Sequence, residues 1–209
     1  MRIVLASHNA KKLAELQTLL AGLPIELVAQ PALGLSEADE PHPTFVENAL
    51  AKARHAASLA GGAAIADDSG LCVEALGGAP GVASAHAAGL VEPGPDREAT
   101  RRRQDARNNR WLLDRLRGRD DRRARFVCTL VALRAADDPE PLIAFGRWEA
   151  TVLEAPRGDG GFGYDPLVWV PEQGASVAQL APEIKNRHSH RARAAAQMRE
   201  LMLAAWRLA

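Results

Sequence analysis

Few aromatics, few cysteines and no net charge mark this chain. Only 4% of its 209 residues are aromatic, with a single Tyr, so it has little with which to build the rows of stacking rings that line a single-strand nucleic-acid groove. Lys plus Arg number 26 and Asp plus Glu number 26, so no global field draws the chain to a phosphate backbone or an anionic membrane. Any binding of an anion must be local. The two cysteines, Cys72 and Cys128, stand far apart with no CxxC, which excludes a zinc framework and a disulfide scaffold and leaves two buried reduced thiols as the expectation. No apolar run approaches the length of a membrane span, and the opening MRIVLAS is too short and too weakly basic for a signal peptide. The chain is expected to be cytoplasmic, without membrane or nucleic-acid partners.

What is present is an ordinary globular composition, 47% hydrophobic and 25% charged, in a chain long enough to bury a full core. Residues 2–6 (RIVLA) read as a strand, SHN as a loop, and Leu13, Leu16, Leu20 and Leu23 as one face of a helix stopped by Gly22 and Pro24. IELVAQ reads as a second strand. Thr44 and Glu47 fit a capping box opening a helix that Gly61 and Gly62 close, and the strand AAIAD follows. Residues 96–117 are helical in character. RARFVCTLVALR and LIAFGRWEATVLEAP suggest an antiparallel hairpin, LVWV a further extended run, and Ser189–Ala209 a final helix. The pattern predicts one α/β domain with a mixed sheet.

Several short stretches carry candidate chemistry, each beside a plainer reading. In AAIADDSG the strand is expected to end at Asp67 and Asp68. Asp, Ser and Gly are turn formers, while two rigid adjacent carboxylates repel unless a cation sits between them. SHNAKK, at the passage from strand to helix, offers amides and two lysines to a phosphate, or is a loop with a surface lysine pair. GDGGFG at 158–163 matches G-x-G-x-x-G, but Tyr164, Asp165 and Pro166 follow where a dinucleotide fold needs a helix. It remains either a connector or a tight loop whose amides cradle phosphate or base beside Phe162 and Tyr164. KNRHSHR at 185–191 is an anion or base clamp or a solvated helix start; His188 and His190, two apart, would not share a helix face for zinc. The arginine-rich stretch from Arg97 to Arg125 is a solvated helix face or a nucleic-acid contact. Asp39 and Glu40, joined by Asp67 and Asp68, offer the oxygen ligands that Mg²⁺ prefers, and His42 admits a transition metal.

Taken in order, IVLASHNAKKLAEL, TFVENALAKARHAA, AIADDSGL, LGGAPGVASA, GGFGYDP and the terminal SHR resemble one family, the inosine triphosphate pyrophosphatases, also called dITP/XTP or RdgB-like pyrophosphatases of noncanonical purine nucleotides. The resemblance runs from residue 1 to about 205 and favours the metal reading of ADDSG. It implies an elongated mixed β-sheet flanked by helices, two lobes around a central cleft, and a homodimer. The implied activity is Mg²⁺-dependent hydrolysis of noncanonical purine nucleoside triphosphates (ITP, dITP, XTP) to monophosphate and pyrophosphate. Carried over motif by motif, Ser7, His8, Asn9, Ala10, Lys11 and Lys12 would bind the triphosphate. Asp68 would be the catalytic carboxylate and a metal ligand, with Asp39 or Glu40 as the other metal-side carboxylate. Ser69, Phe162, Gly163, Tyr164, Asp165, Lys185, His190 and Arg191 would contact substrate. A donor from His190, Arg191 or an amide would favour a 6-keto purine over adenine.

This chain departs from the family pattern twice. Ser7, His8 and Asn9 stand where Thr-Gly-Asn is usual, and EIKNRHSHR stands where the family often has EKNxISHR. Two other readings are weighed. A Maf-like nucleotide pyrophosphatase would carry Ser-Pro-Arg-Arg after the first strand, where this chain has HNAKK. A nucleic-acid-binding module would use the arginine-rich helix but leaves the carboxylates and the glycine loop unexplained.

Overall fold

The first elements form where apolar periodicity and capping chemistry put them. In the computed structural model, which describes residues 1–208, β1 (Arg2–Leu5) leads through a short loop into α1 (Ala10–Leu19), and β2 (Glu26–Ala29) pairs with β1 in parallel. Leu16 and Leu20 are fully buried, as the leucine spacing requires. α2 (Phe45–Ala60) opens on Thr44, whose hydroxyl accepts from the Glu47 N–H and donates to the Glu47 carboxylate, and it ends at Gly61 with φ 63°.

β3 (Ala64–Val73) differs from the expected short strand ending at the aspartates. It runs for ten residues, so Asp67 and Asp68 lie in mid-strand and the turn reading of DDSG fails. The reason is tertiary: β3 lies between β1 and β4, and Lys12 and Lys52 each meet one of the carboxylates, which outweighs the local turn preference of Asp, Ser and Gly. α3 (Arg97–Arg115) follows, capped by Asp96. β4 (Arg123–Leu133), β5 (Leu142–Val152), β6 (Val168–Val170) and β7 (Ala175–Ser176) complete one mixed seven-stranded sheet of order β2-β1-β3-β4-β5-β6-β7. β1 is parallel to β2 and β3, while β6 is antiparallel to β5 and β7. The two-residue β7 has no sequence signal of its own. At the C-terminal end KNRH belongs to a separate helix, α4 (Pro182–His188), and α5 (His190–Ala205) begins after its N-cap Ser189. Ala209, the last residue of the predicted final helix, lies outside the described residues.

The chain forms two compact units. The first comprises Met1–Ser69, Cys128–Arg147 and the chain from Asn186 on. It is cored on both faces of its strands. Ile3, Leu5, Ile65, Leu130 and Met198 pack with Leu16 of α1, whereas Val4, Ala64, Ala66 and Val131 pack with Ala49, Ala53 and Ala56 of α2. Adjacent residues of β1, β3 and β4 thus serve opposite layers, as the two-residue period of a strand demands. The second unit comprises Gly70–Val127 and Trp148–Lys185, with Trp148, Leu112, Leu116 and Leu167 in its core. Here several arginines act as straps. Arg103 and Arg107 of α3 donate to the carbonyls of Glu92 and Leu90, and Gln104 donates to that of Gly89. Arg122 donates to the carbonyls of Leu116, Val152 and Leu153.

Candidate active site

Alternation along β3 divides the two aspartates. Asp67 is on the side of Ile65 and α1, and Asp68 is on the side of Ala66 and α2. Each meets a different set of cations.

On the α2 side, Lys52 Nζ lies 3.0 Å from Asp68 Oδ1 and 2.9 Å from Glu40 Oε2. Asn48, one helical turn before Lys52, donates to Asp68 Oδ2 at 3.4 Å and exchanges hydrogen bonds with the backbone of His42. Asn48 and Lys52 therefore tie the acidic loop to the strand. Burial pushes the Asp68 carboxyl up to about 6 against the pull of Lys52, and the neighbouring Glu40 charge adds to the rise. Glu40 is more exposed, and although partial burial opposes its ionisation, Lys52 holds it below the usual carboxylate range. Lys52 itself is pushed up, since the charges of Asp68, Asp67 and Glu40 outweigh its burial. Asp39 makes no hydrogen bond or ion pair with this group among the described residues, so of the two acidic neighbours Glu40 is the one brought to Asp68.

On the α1 side, Asp67 Oδ2 is 3.2 Å from Lys12 Nζ, 3.5 Å from Arg191 Nε and 2.9 Å from the Ser69 hydroxyl that donates to it. Arg191 is 2% exposed; it also donates to Ser69 Oγ at 3.0 Å and to the Glu15 carboxylate. Burial opposes the ionisation of Asp67, but Lys12, Arg191 and Lys52 hold its carboxyl well below the usual range. Asp67 Oδ1 is buried without a hydrogen-bond partner. Cys128, fully buried near this cluster, has its thiol pushed up to about 12 by burial, so it stays protonated and inert.

The loop before α1 is less open to phosphate than its sequence suggests. Asn9 Oδ1 accepts from both Lys11 N and Lys12 N at 3.1 Å, and Ser7 Oγ accepts from Asn9 N, so Asn9 itself caps these helix-end amides. Ala10 opens the helix, and Lys11 and Lys12 supply the cationic groups. His8 Nδ1 lies 3.3 Å from Glu37 Oε1, linking this loop to the acidic loop, and its Nε2 is buried without a partner. His190 is buried at the start of α5, where its carbonyl lies so close to Gly146 that a Cβ there would collide with it.

The remaining expected residues gather within the second unit. Asp165 Oδ2 accepts from Lys185 Nζ at 2.9 Å and from Phe162 N at 3.0 Å, and a Cβ at Gly161 would collide with it. Gly163 N donates to Asp105 at 2.8 Å, so two amides of the loop read as a base or phosphate cradle are engaged by carboxylates. The Tyr164 hydroxyl donates to the Ser84 carbonyl at 3.0 Å. The Phe162 ring carries two cations, Lys185 at 4.6 Å and Arg101 at 5.2 Å from its centre.

The donor chemistry on the α2 side suits a hard cation. Two carboxylates and no soft ligand match Mg²⁺, which takes one or two protein carboxylates and leaves its other positions to phosphate and water. Among the described residues no three His, Cys, Asp or Glu side chains gather to form a complete cage. Reading for carboxylates alone missed Lys52 and Asn48. Their signal was a polar pair at i and i+4 on the alanine face of α2.

The fold defines the general class, a mixed α/β protein, and within it two carboxylates, Asp68 and Glu40, share one lysine. Comparison with known proteins gives the family. The Ham1 family model matches residues 3–201, and the chain belongs to the Ham1 family. It is 69% identical over 206 residues to a dITP/XTP pyrophosphatase of Methylibium petroleiphilum, covering 99% of both chains, and 66% identical to one of Leptothrix cholodnii, covering 100% of both. Among solved structures, a HAM1 protein from Coxiella burnetii matches with a TM-score of 0.86 at 42% identity, over 97% of this chain and 98% of that one. The Staphylococcus aureus Ham1 protein matches with a TM-score of 0.81 at 32% identity and the same coverage.

Proposed function

We propose that the protein hydrolyses noncanonical purine nucleoside triphosphates, ITP, dITP and XTP, to monophosphate and pyrophosphate, removing deaminated purines from the nucleotide pool. The observation that carries this reading is the Glu40–Lys52–Asp68 group, in a chain 69% identical over its length to a protein named for that activity. Hydrolysis at the α-phosphorus develops negative charge on phosphate oxygens and on the leaving pyrophosphate. Lys11, Lys12 and Lys52 supply positive charge at fixed positions, and Asp68 orients a water and takes its proton. Lys52 also keeps Glu40 and Asp68 from repelling each other.

Asp68 and Glu40 would hold Mg²⁺, with Asp39 the reserve ligand of the same loop. Bound there, the ion would neutralise phosphate charge and lower the pKa of water. His190 is the proposed donor to a 6-keto group, and Phe162 the stacking surface for the base. Arg191, locked by Glu15, Asp67 and Ser69, serves by fixing Ser69 and the start of α5. Homodimer formation and a cytoplasmic location belong to the same proposal. Against a nucleic-acid module stand Arg103, Arg107 and Arg122, whose guanidinium groups already hold backbone carbonyls. The test is incubation of the pure protein with Mg²⁺ and ITP, XTP, dITP, GTP or ATP, following pyrophosphate and orthophosphate. Pyrophosphate from the first three alone is expected; inactivity on all five would overturn the reading.

A further inference from the structure

Helix α3 presents Arg101, Asp105 and Asn109 at i, i+4 and i+8, one stripe along one face. All three meet the same two loop residues. The Arg101 guanidinium lies 5.2 Å from the centre of the Phe162 ring, Asp105 Oδ2 accepts from Gly163 N at 2.8 Å, and Asn109 Nδ2 donates to Gly163 O at 3.0 Å. The Gly163 peptide groups are thus held at both ends by a helix more than fifty residues away in sequence. From the other side Asp165 accepts from Phe162 N and gives its own N–H to Phe162 O at 3.2 Å. Gly163 has φ 63°, a conformation that costs most residues energy and that the two α3 hydrogen bonds help to fix.

We infer that Asp105 and Asn109 are positioning residues for base recognition, setting the Phe162 ring through the Gly163 peptide, and that Arg101 completes the stack as a cation over that ring. The inference rests on the proposed reading of Phe162 as the base-stacking surface. Asp105 and Asn109 belong to the second unit and hold the Phe162–Asp165 loop through Gly163, so their loss should weaken nucleotide binding and leave the chemical step alone. A ring held in one orientation costs a ligand less to bind than one that must be ordered on binding. Arg101 adds a planar cation whose attraction for an aromatic face does not depend on which purine is stacked.

The experiment compares Asp105→Ala, Asn109→Ala and the conservative Asp105→Asn with the wild type, measuring KM and kcat for ITP and amide hydrogen exchange at residues 162–165 and along β5. In both alanine variants KM should rise about tenfold, the loss of one charge-assisted or buried hydrogen bond, with kcat held within about threefold. Exchange at Gly163 should quicken while β5 stays protected. Asp105→Asn, which keeps an acceptor, should restore most of both. Unchanged KM in the alanine variants, or joint loss of kcat and of β5 protection, would overturn the inference. If the wild type hydrolyses none of the nucleotides, the substrate reading has failed; unchanged exchange at Gly163 would then refute the positioning role too, and quickened exchange confined to the loop would sustain it.

Discussion

Asp67 and Asp68 are chemically identical neighbours, both buried and both paired with lysine, yet their carboxyl groups are displaced in opposite directions. Asp67 faces Lys12 and Arg191, and the two cations overcome its desolvation. Asp68 faces one lysine that it shares with Glu40, and desolvation wins. The strand period places the two carboxylates in different layers within one residue of sequence. The two carboxylates divide the labour: the one flanked by two cations anchors α1 and α5, while the one that shares a single lysine with Glu40 keeps affinity for a proton.

The largest expected effect comes from removing the one lysine that Glu40 and Asp68 share. Lys52→Met leaves Glu40 and Asp68 facing each other, and pyrophosphate release should fall on the order of a hundredfold or more, as when a preorganised electrostatic group is lost. In the same variant the Asp68 carboxyl should rise beyond about 6, as read by NMR titration without metal.

Breaking the side that carries two cations should instead cost stability. Asp67→Ala takes from Arg191 and Lys12 the counter-charge they share and leaves Arg191 with Glu15 alone, a loss of roughly 3–5 kcal/mol, seen in calorimetry as a fall in Tm on the order of 10 °C for a chain of this size.

The pH dependence of metal-free stability sharpens the contrast. The lowered Asp67 stabilises the fold above its ordinary value of 3.8, and that contribution is lost as pH falls below it. The raised Asp68 acts oppositely: its contribution is complete below 3.8 and disappears as pH rises through about 6. Asp68→Asn should therefore flatten the decline of Tm between pH 4 and 6.5, and Asp67→Asn should flatten the acid limb below 4. The smallest effect is expected away from both: Thr44→Ala removes a helix cap at about 1 kcal/mol, a Tm shift of roughly 2–4 °C.

Much of this was legible in the sequence, for reasons that can be named. The leucine period of α1, the Thr44 cap and the strand patterns are local signals, and they placed these elements to within a few residues. β3 was misjudged because DDSG has the local chemistry of a turn, and only the cations brought by α1, α2 and α5 make it a strand. Lys52 and Asn48 were overlooked because a lysine on a helix usually faces solvent; here the alanine face of α2 is buried, and a polar pair on it has to have buried partners. The arginine-rich helix gave no hint of its task, since the carbonyls of residues 89–92 and the Gly163 peptide that it holds are fixed by the fold alone.

Under the proposed function, chemistry belongs to Asp68 and architecture to Asp67. The direct test is pyrophosphate release from ITP with Mg²⁺ by Asp68→Asn and Asp67→Asn side by side, below the Tm of both. Asp68→Asn should lose about a hundredfold or more of activity with Tm kept or raised, and Asp67→Asn less than about tenfold with Tm lowered. Equal losses of activity, or a more active Asp68→Asn, would contradict it.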